Sequence, residues 1–214
     1  MATVREGTLL WTPSEEFVQH SRMADYMRWL AGHHGLHFRT YDELWQWSCS
    51  ELERFWVTIY QYFDIQFQQH FRGVLSRRKM PGAMWFDGAT LNYAEHAFRN
   101  ETADRPALIF KSETAGPVEI SWVELRAQVT AMVAAMRGFG IKPGDRVVAY
   151  MPNIPQTIAA FLASASLGGV FSSCSPDFGL NAVVDRFAQI EPRILFAVDG
   201  YTYGGKAFDR RDVL

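Results

Sequence analysis

The stretch from Arg146 to Gly179, RVVAYMPNIPQTIAAFLASASLGGVFSSCSPDFG, decides the fold. RVVAYM is a short apolar run of strand length, entered through the turn residues Pro143-Gly144-Asp145. A helix is predicted near Gln156–Leu167, and GGVFSS is a second strand. Past the polar SSCSPDFG segment come a helix near Leu180–Ile190 and a third strand, RILFAV. Strand and helix alternating in this way predict a mostly parallel sheet with helices on its faces and right-handed crossovers. Ligands of such sheets bind outside the carboxyl ends of the strands. Here those ends are Pro152–Pro155, Ser172–Gly179 and Asp199–Lys206.

The same alternation begins at Pro106. ALIFK reads as a short strand, and VEIS, after the turn-prone Thr114-Ala115-Gly116-Pro117, reads as its hairpin partner. Ser121 and Glu124 mark the start of a helix over Trp122–Arg137, which Gly138 and Gly140 stop. Upstream, the first hundred residues read as helices. Capping boxes are expected at Thr12/Glu15, with Pro13 at the first helical position, at Thr40/Glu43 and at Ser50/Glu53. Leu52, Phe55, Trp56, Ile59, Tyr60 and Phe63 form a stripe of helical period, read as packing. Arg77–Gly82 reads as an exposed break, Asp87-Gly88 as a turn, and a short helix is expected from about Asn92.

Bulk properties exclude several classes. Of 214 residues, 48% are hydrophobic, enough for a packed core. A formal net charge of -2 gives no electrostatic case for nucleic acid. Two cysteines, Cys49 and Cys174, lack CxxC spacing, so neither a disulfide framework nor a cysteine zinc site is expected. MATVREGTLLWTPSEE has no apolar h-region and no run reaches the length of a membrane span. These features point to a soluble cytoplasmic protein without a membrane partner.

Candidate chemistry is sparse. Asp177-Phe178-Gly179 matches the kinase metal motif by letters only, and Asp177 reads as a turn residue or a helix-start carboxylate. Gly138, Gly140 and Gly144 follow a helix, which is wrong for a dinucleotide fingerprint. His33, His34 and His37 read as a cluster at a helix C-terminus, so no metal site is assigned. Cys174 reads as a buried, inert thiol. Asp199–Lys206, DGYTYGGK, is the most suggestive segment: it follows a strand, its glycines let backbone approach a ligand, and its lysine suits a phosphate.

WFDGATLNYAEH (85–96), MPNIPQTIAAFLASASLGGVFSSCSPDFG (151–179) and DRFAQIEPRILFAVDGYTYGGK (185–206) resemble the adenylate-forming acyl-CoA synthetases, in the acetoacetyl-CoA branch close to acetyl-CoA synthetase. TYDELWQWSCSELERFW (40–56) resembles the helical extension of that subgroup. The resemblance implies an α/β fold. A helical N-terminal extension covers 1–100, with its core at about 40–97, and 101–214 is the truncated start of an AMP-binding domain with a mostly parallel, doubly wound sheet. It implies ATP, acetoacetate and CoA as substrates, with Mg2+ bearing phosphate charge.

The family's phosphate loop, its later Tyr-x-Thr-Gly-Asp motif and its adenylating lysine have no counterpart in these residues. The chain is therefore expected to carry no catalytic residue and to be inactive alone. Only a CoA-binding site carries over: Tyr203, Gly204, Gly205 and Lys206 match a loop that has two arginines flanking small residues in the acetyl-CoA enzymes. Lys206 keeps a charge for the 3'-phosphate; Tyr203 replaces an arginine and would stack on adenine; Arg210 and Arg211 would supply the lost charge. Two other readings stand beside this one: another short-chain acyl-CoA synthetase, or a non-catalytic interaction module that self-associates through an exposed sheet edge.

Overall fold

A computed structural model describes residues 5–214; the first four residues of the stretch read for a leader lie outside them. Two compact units divide the chain, Met1–Thr90 and Leu91–Leu214.

The first unit holds helices α1 (Glu15–Gln19), α2 (Arg22–His34), α3 (Tyr41–Ser50) and α4 (Leu52–Tyr62). Strands β1 (Gly73–Arg77) and β2 (Met84–Asp87) follow, paired antiparallel. The hairpin corrects the purely helical reading. Its strands are short and flank the Arg77–Gly82 break, so neither shows a full alternating pattern.

The capping boxes fare unequally. Thr40 caps α3, its hydroxyl accepting from the Glu43 amide, while the Glu43 carboxylate accepts from the Arg39 amide. The first helix starts one turn-fraction later than the Thr12/Glu15 reading, capped by Ser14, which accepts from the Phe17 amide. Glu51, without a side-chain cap bond, precedes α4 where Ser50 was expected to cap it. Ser50 is unavailable because it still belongs to α3 and donates to the Trp47 carbonyl.

Apolar packing in this unit centres on Tyr26, Leu30 and Leu44, with Phe55 and Ile59 of the stripe against them. One polar pair is buried there: the Tyr26 hydroxyl lies 2.6 Å from the Thr58 hydroxyl.

The second unit contains α5 (Tyr93–Phe98), the antiparallel pair β3 (Leu108–Phe110) and β4 (Val118–Ile120), and α6 (Trp122–Gly138). Then come β5 (Arg146–Tyr150), α7 (Pro155–Ser166), β6 (Val170–Cys174), α8 (Leu180–Ala188) and β7 (Ile194–Ala197). The chain closes with an antiparallel hairpin, β8 (Gly200–Tyr203) and β9 (Lys206–Asp209). Ser121 and Glu124 make the reciprocal capping box at the start of α6.

Strands β6, β5 and β7 form one parallel sheet in that order. It has three strands, and the other sheets are two-stranded and antiparallel. Parallel pairing is thus confined to the core of the unit. Every residue from Val147 to Tyr150 is at most 1% exposed, as the central strand of a sheet covered on both faces requires. Val147 packs with α5, α6 and α7; Val148 and Tyr150 pack with Cys174 and the α8 residues Val183 and Phe187. Helices therefore lie on both faces, and the period-2 alternation of β5 divides its side chains between them.

Candidate functional site

The three parallel strands end on one rim and are tied there by backbone. The amide of Met151, just past β5, donates to the Cys174 carbonyl at the end of β6 (3.2 Å), and the Val198 amide, past β7, donates to the Tyr150 carbonyl (3.2 Å). Pro155 occupies the first turn of α7, so Pro152-Asn153-Ile154 has little freedom between strand and helix. A cleft of about 870 Å³ opens on this rim. Its walls are the β3–β4 turn (Phe110 to Thr114), Pro152-Asn153-Ile154, and Val198 with Gly200 to Tyr203. A second cavity, of 590 Å³, lies in the first unit among Met23, Tyr26, Leu44, Phe55 and other apolar side chains. A third, of about 720 Å³, is lined by Glu101 to Pro106, Glu119 and Ser121 to Glu124 beside the antiparallel β4. The rim cleft is the one of the three that lies at the ends of the parallel strands, so it is taken as the candidate site.

The quoted segment Ser175–Gly179 is held from below. The buried Tyr150 hydroxyl donates to the carbonyls of Pro176 (2.7 Å) and Phe178 (2.8 Å), one proton shared between two acceptors. The Phe178 amide closes a turn on the Ser175 carbonyl (3.2 Å), which makes Asp177 a turn residue. The residue preceding α8 is Gly179, with no side-chain cap bond, so the helix-start role of Asp177 is not realised. Cys174 is buried at the end of β6, as an inert thiol would be. The His33 ring stacks on Trp29 at 4.9 Å.

The glycine-rich segment is more ordered than a loop. Tyr203 pairs with Lys206 across β8–β9, leaving Gly204 and Gly205 as a two-residue turn at φ 58° and 72°. Positive φ at both central positions is the hairpin turn that matches strand twist, and glycine adopts it without strain. In such a turn both central amides point outward. Here both donate to the Glu113 carboxylate from the β3–β4 turn, each at 2.9 Å. These bonds, from Gly205 first and then Gly204, hold the Glu113 carboxyl below its ordinary value.

A carboxyl lowered in the folded chain stabilises the contact above its ordinary value and loses it as pH falls through the lowered one. The amide signals of Gly204 and Gly205 are expected to titrate together, with a midpoint below that of an ordinary glutamate. A midpoint at or above it would mean that the carboxylate does not sit there.

The arginines beyond β9 are engaged. Arg211 pairs with Asp209 and holds its carboxyl down to about 2. Arg210 donates to the Tyr201 hydroxyl (3.0 Å) and lies over the Tyr201 ring at 5.3 Å. Arg211 is thus paired with a carboxylate, whereas Arg210 is held by a neutral hydroxyl and keeps its charge, with Nε unpartnered among the described residues. Lys206 is exposed and makes no ion pair among the described residues. Tyr203 lines the cleft and is 70% exposed.

Residues 94–212 match the model of the AMP-binding enzyme family, more than half of the chain. The chain belongs to the AMP-binding enzymes. Residues 41–97 match the acetyl-coenzyme A synthetase N-terminus. The chain is 49% identical to an acetoacetyl-CoA synthetase structure from Streptomyces lividans, with a TM-score of 0.90 over 95% of this chain and 32% of that one. It is 42% identical over 200 residues to the acetoacetyl-coenzyme A synthetase of Rhizobium meliloti, covering 94% of this chain. The corresponding enzyme of Macaca fascicularis is 36% identical over 214 residues, 99% of this chain. The chain spans about 31% and 32% of the length of these two relatives. The acetoacetyl-CoA synthetase resemblance read from the sequence is thereby shown.

Two contacts on the rim of this AMP-binding family member were not read from sequence. Glu113 sits 91 residues before Gly204, in a turn that looked like a plain hairpin connection. Tyr150 looked like one more apolar residue of a strand, and nothing local marks its hydroxyl as the support of a turn 26 residues away.

Proposed function

We propose that this chain is the front part of an acetoacetyl-CoA synthetase. In that reaction the acetoacetate carboxylate attacks the α-phosphate of ATP and releases diphosphate. The CoA thiol then attacks the acyl-adenylate carbonyl and releases AMP. The observation that carries the reading is the 49% identity and TM-score of 0.90 over 95% of the chain. The three-stranded sheet would begin the doubly wound sheet of the adenylate-forming domain. The proposed division is 1–100 as extension and 101–214 as the start of that domain, with α5 as the part of the extension that packs in the second unit.

Within the reaction, the contribution proposed for these residues is to bind CoA. Gly204 and Gly205 offer two amides, Lys206 an ammonium and Tyr203 a ring beside the cleft. Mg2+ would bear part of the phosphate charge, but no group of three His, Cys, Asp or Glu among the described residues could hold it. ATP and acetoacetate would meet residues outside this span, and the 214-residue chain is expected to release no AMP from ATP, acetoacetate and CoA. The protein is proposed to act in the cytoplasm; no described helix is long and apolar enough to cross a membrane.

The test is kinetic, in the full-length synthetase. Lys206→Ala should raise the KM for CoA about three- to tenfold, the worth of one charge-assisted contact, and leave the KM for ATP nearly unchanged. An unchanged CoA KM would remove Lys206 from the site.

A second property, association, is favoured by the sheet edges. Among the described residues, strands β6 and β7 each pair only with β5, and their Val170 and Leu195 are 52% and 49% exposed. Unpaired strand edges with exposed apolar side chains recruit further strands. Light scattering of the 214-residue chain should give a mass that grows with concentration; a constant monomer mass would dismiss self-association.

A further inference from the structure

The outward amides of the β8–β9 turn already hold an anion, and it belongs to the chain. Glu113 accepts from Gly204 and Gly205 at 2.9 Å each. Such an amide pair is an anion cradle, for which any carboxylate or phosphate oxygen is a suitable acceptor. We propose that Glu113 is a built-in competitor for the phosphate position at this turn. Its carboxylate fills the Gly204–Gly205 amide pair while no ligand is present, and leaves when a phosphate monoester arrives. The proposal rests on the reading that this turn takes a phosphate of CoA.

The geometry favours exchange over a permanent bond. Glu113 is exposed, in a turn beside Lys111 and Thr114 at the cleft wall, so it can swing into solvent. It satisfies the amides but forms no ion pair with Lys206, the residue directly after the turn. A phosphate offers three terminal oxygens and two charges, enough for both amides and the ammonium together. The carboxylate therefore leaves one favourable contact unused, which the ligand can take. In the closed state Glu113 also ties the β8–β9 hairpin to the β3–β4 turn across the cleft, so its departure frees both.

Adenosine 3',5'-bisphosphate is the probe, titrated into the 214-residue chain by calorimetry, with the Gly204 and Gly205 amide signals reporting the site. Glu113→Gln (E113Q) replaces two charged acceptor oxygens by one neutral acceptor and an NH2 that cannot accept, so it should lower the Kd about tenfold if the wild-type site is open about one-tenth of the time. Glu113→Asp (E113D) keeps the charge but shortens the reach, so it should also tighten binding if occupancy is what competes. At saturation, the two glycine amides should reach the same positions in wild type and variants, because all then donate to phosphate.

Equal Kd values, with the glycine amides moving in every protein, would overturn competition and leave the phosphate reading standing. Tightening in E113Q alone would also overturn it, replacing occupancy by long-range repulsion. Glycine amides that never move would overturn both the competitor and the phosphate site. Each variant alters an exposed turn residue, and dispersed amide spectra would establish that it is folded.

Discussion

Tyr150→Ala is expected to cost about 3–5 kcal/mol, the usual range for emptying a large aromatic site in a core. Tyr150 is 1% exposed and packs with Val148, Cys174, Val183 and Phe187 on the α8 face of the sheet. Its ring fills the space between the central strand and α8, and the surrounding backbone belongs to a parallel sheet that cannot close the gap. Its hydroxyl adds a second role. Donating to the carbonyls of Pro176 and Phe178, it fixes the Ser175–Gly179 turn against the end of β5.

Tyr150→Phe separates the two roles. It keeps the ring and strands two carbonyls, for about 1–3 kcal/mol. Hydrogen exchange of the β5 amides reads both: protection should fall by about two to three and a half orders of magnitude for Tyr150→Ala and by about one to two for Tyr150→Phe. If Tyr150→Phe exchanges like wild type, the hydroxyl does not hold the turn.

The division between what could be read in advance and what could not follows the range of the interactions. The parallel sheet was readable because each of its strands is a short apolar run bounded by turn residues, and its helices carry the longer period. The rim at Pro152–Pro155 and Ser172–Gly179 followed from topology alone. Ser121/Glu124 succeeded as a capping box because both halves of the signal are local and nothing else claims them. Ser50/Glu53 has the same letters, yet Ser50 is still inside the preceding helix and its hydroxyl is spent on the Trp47 carbonyl. A pattern of four residues carries no information about that competition.

The site was legible as a place and illegible as a set of contacts. DGYTYGGK announced glycines and a lysine after a strand; its first part, Gly200 to Tyr203, lines the cleft, and Gly204 to Lys206 follow directly. Its form as a hairpin was hidden, because Gly204-Gly205 reads equally well as a flexible loop until Tyr203 and Lys206 are seen to pair. The substitution of tyrosine for arginine at 203 suggested that Arg210 and Arg211 would restore the charge. Arg211 pairs with the Asp209 carboxylate two residues away, while Arg210 donates to the neutral Tyr201 hydroxyl nine residues away. Charge count in a window does not show that one of the two cations already has a carboxylate partner. Glu113 is the extreme case, since its partners are amides, which carry no side-chain signal at all.

Gly200→Ala is the sharpest test of that hairpin. A Cβ at Gly200 would lie 2.6 Å from the Phe208 carbonyl oxygen and 3.5 Å from its carbon. Both are backbone atoms of the facing strand, so no side-chain rotation relieves the contact. Gly200 pairs with Asp209 at the open end of the ladder, and the added methyl must push β9 away or break that pair. The expected cost is about 1–3 kcal/mol, typical of an inserted methyl in a site with no room. Displacement at this end tilts the whole two-stranded unit, so the turn at its other end should lose Glu113. Gly204→Ala serves as the contrast, because a Cβ there meets nothing within 4 Å and the only penalty is its φ of 58°. In Gly200→Ala, cross-strand contacts between residues 200 and 209 should vanish and the Gly204 and Gly205 amides should stop titrating with Glu113, while β5, β6 and β7 keep their protection. In Gly204→Ala the strand contacts should persist. If Gly200→Ala retains both the ladder and the shared titration, then β8 and β9 are not held at the distance that makes glycine necessary, and the rigid link between the start of the hairpin and its anion-holding turn is wrong.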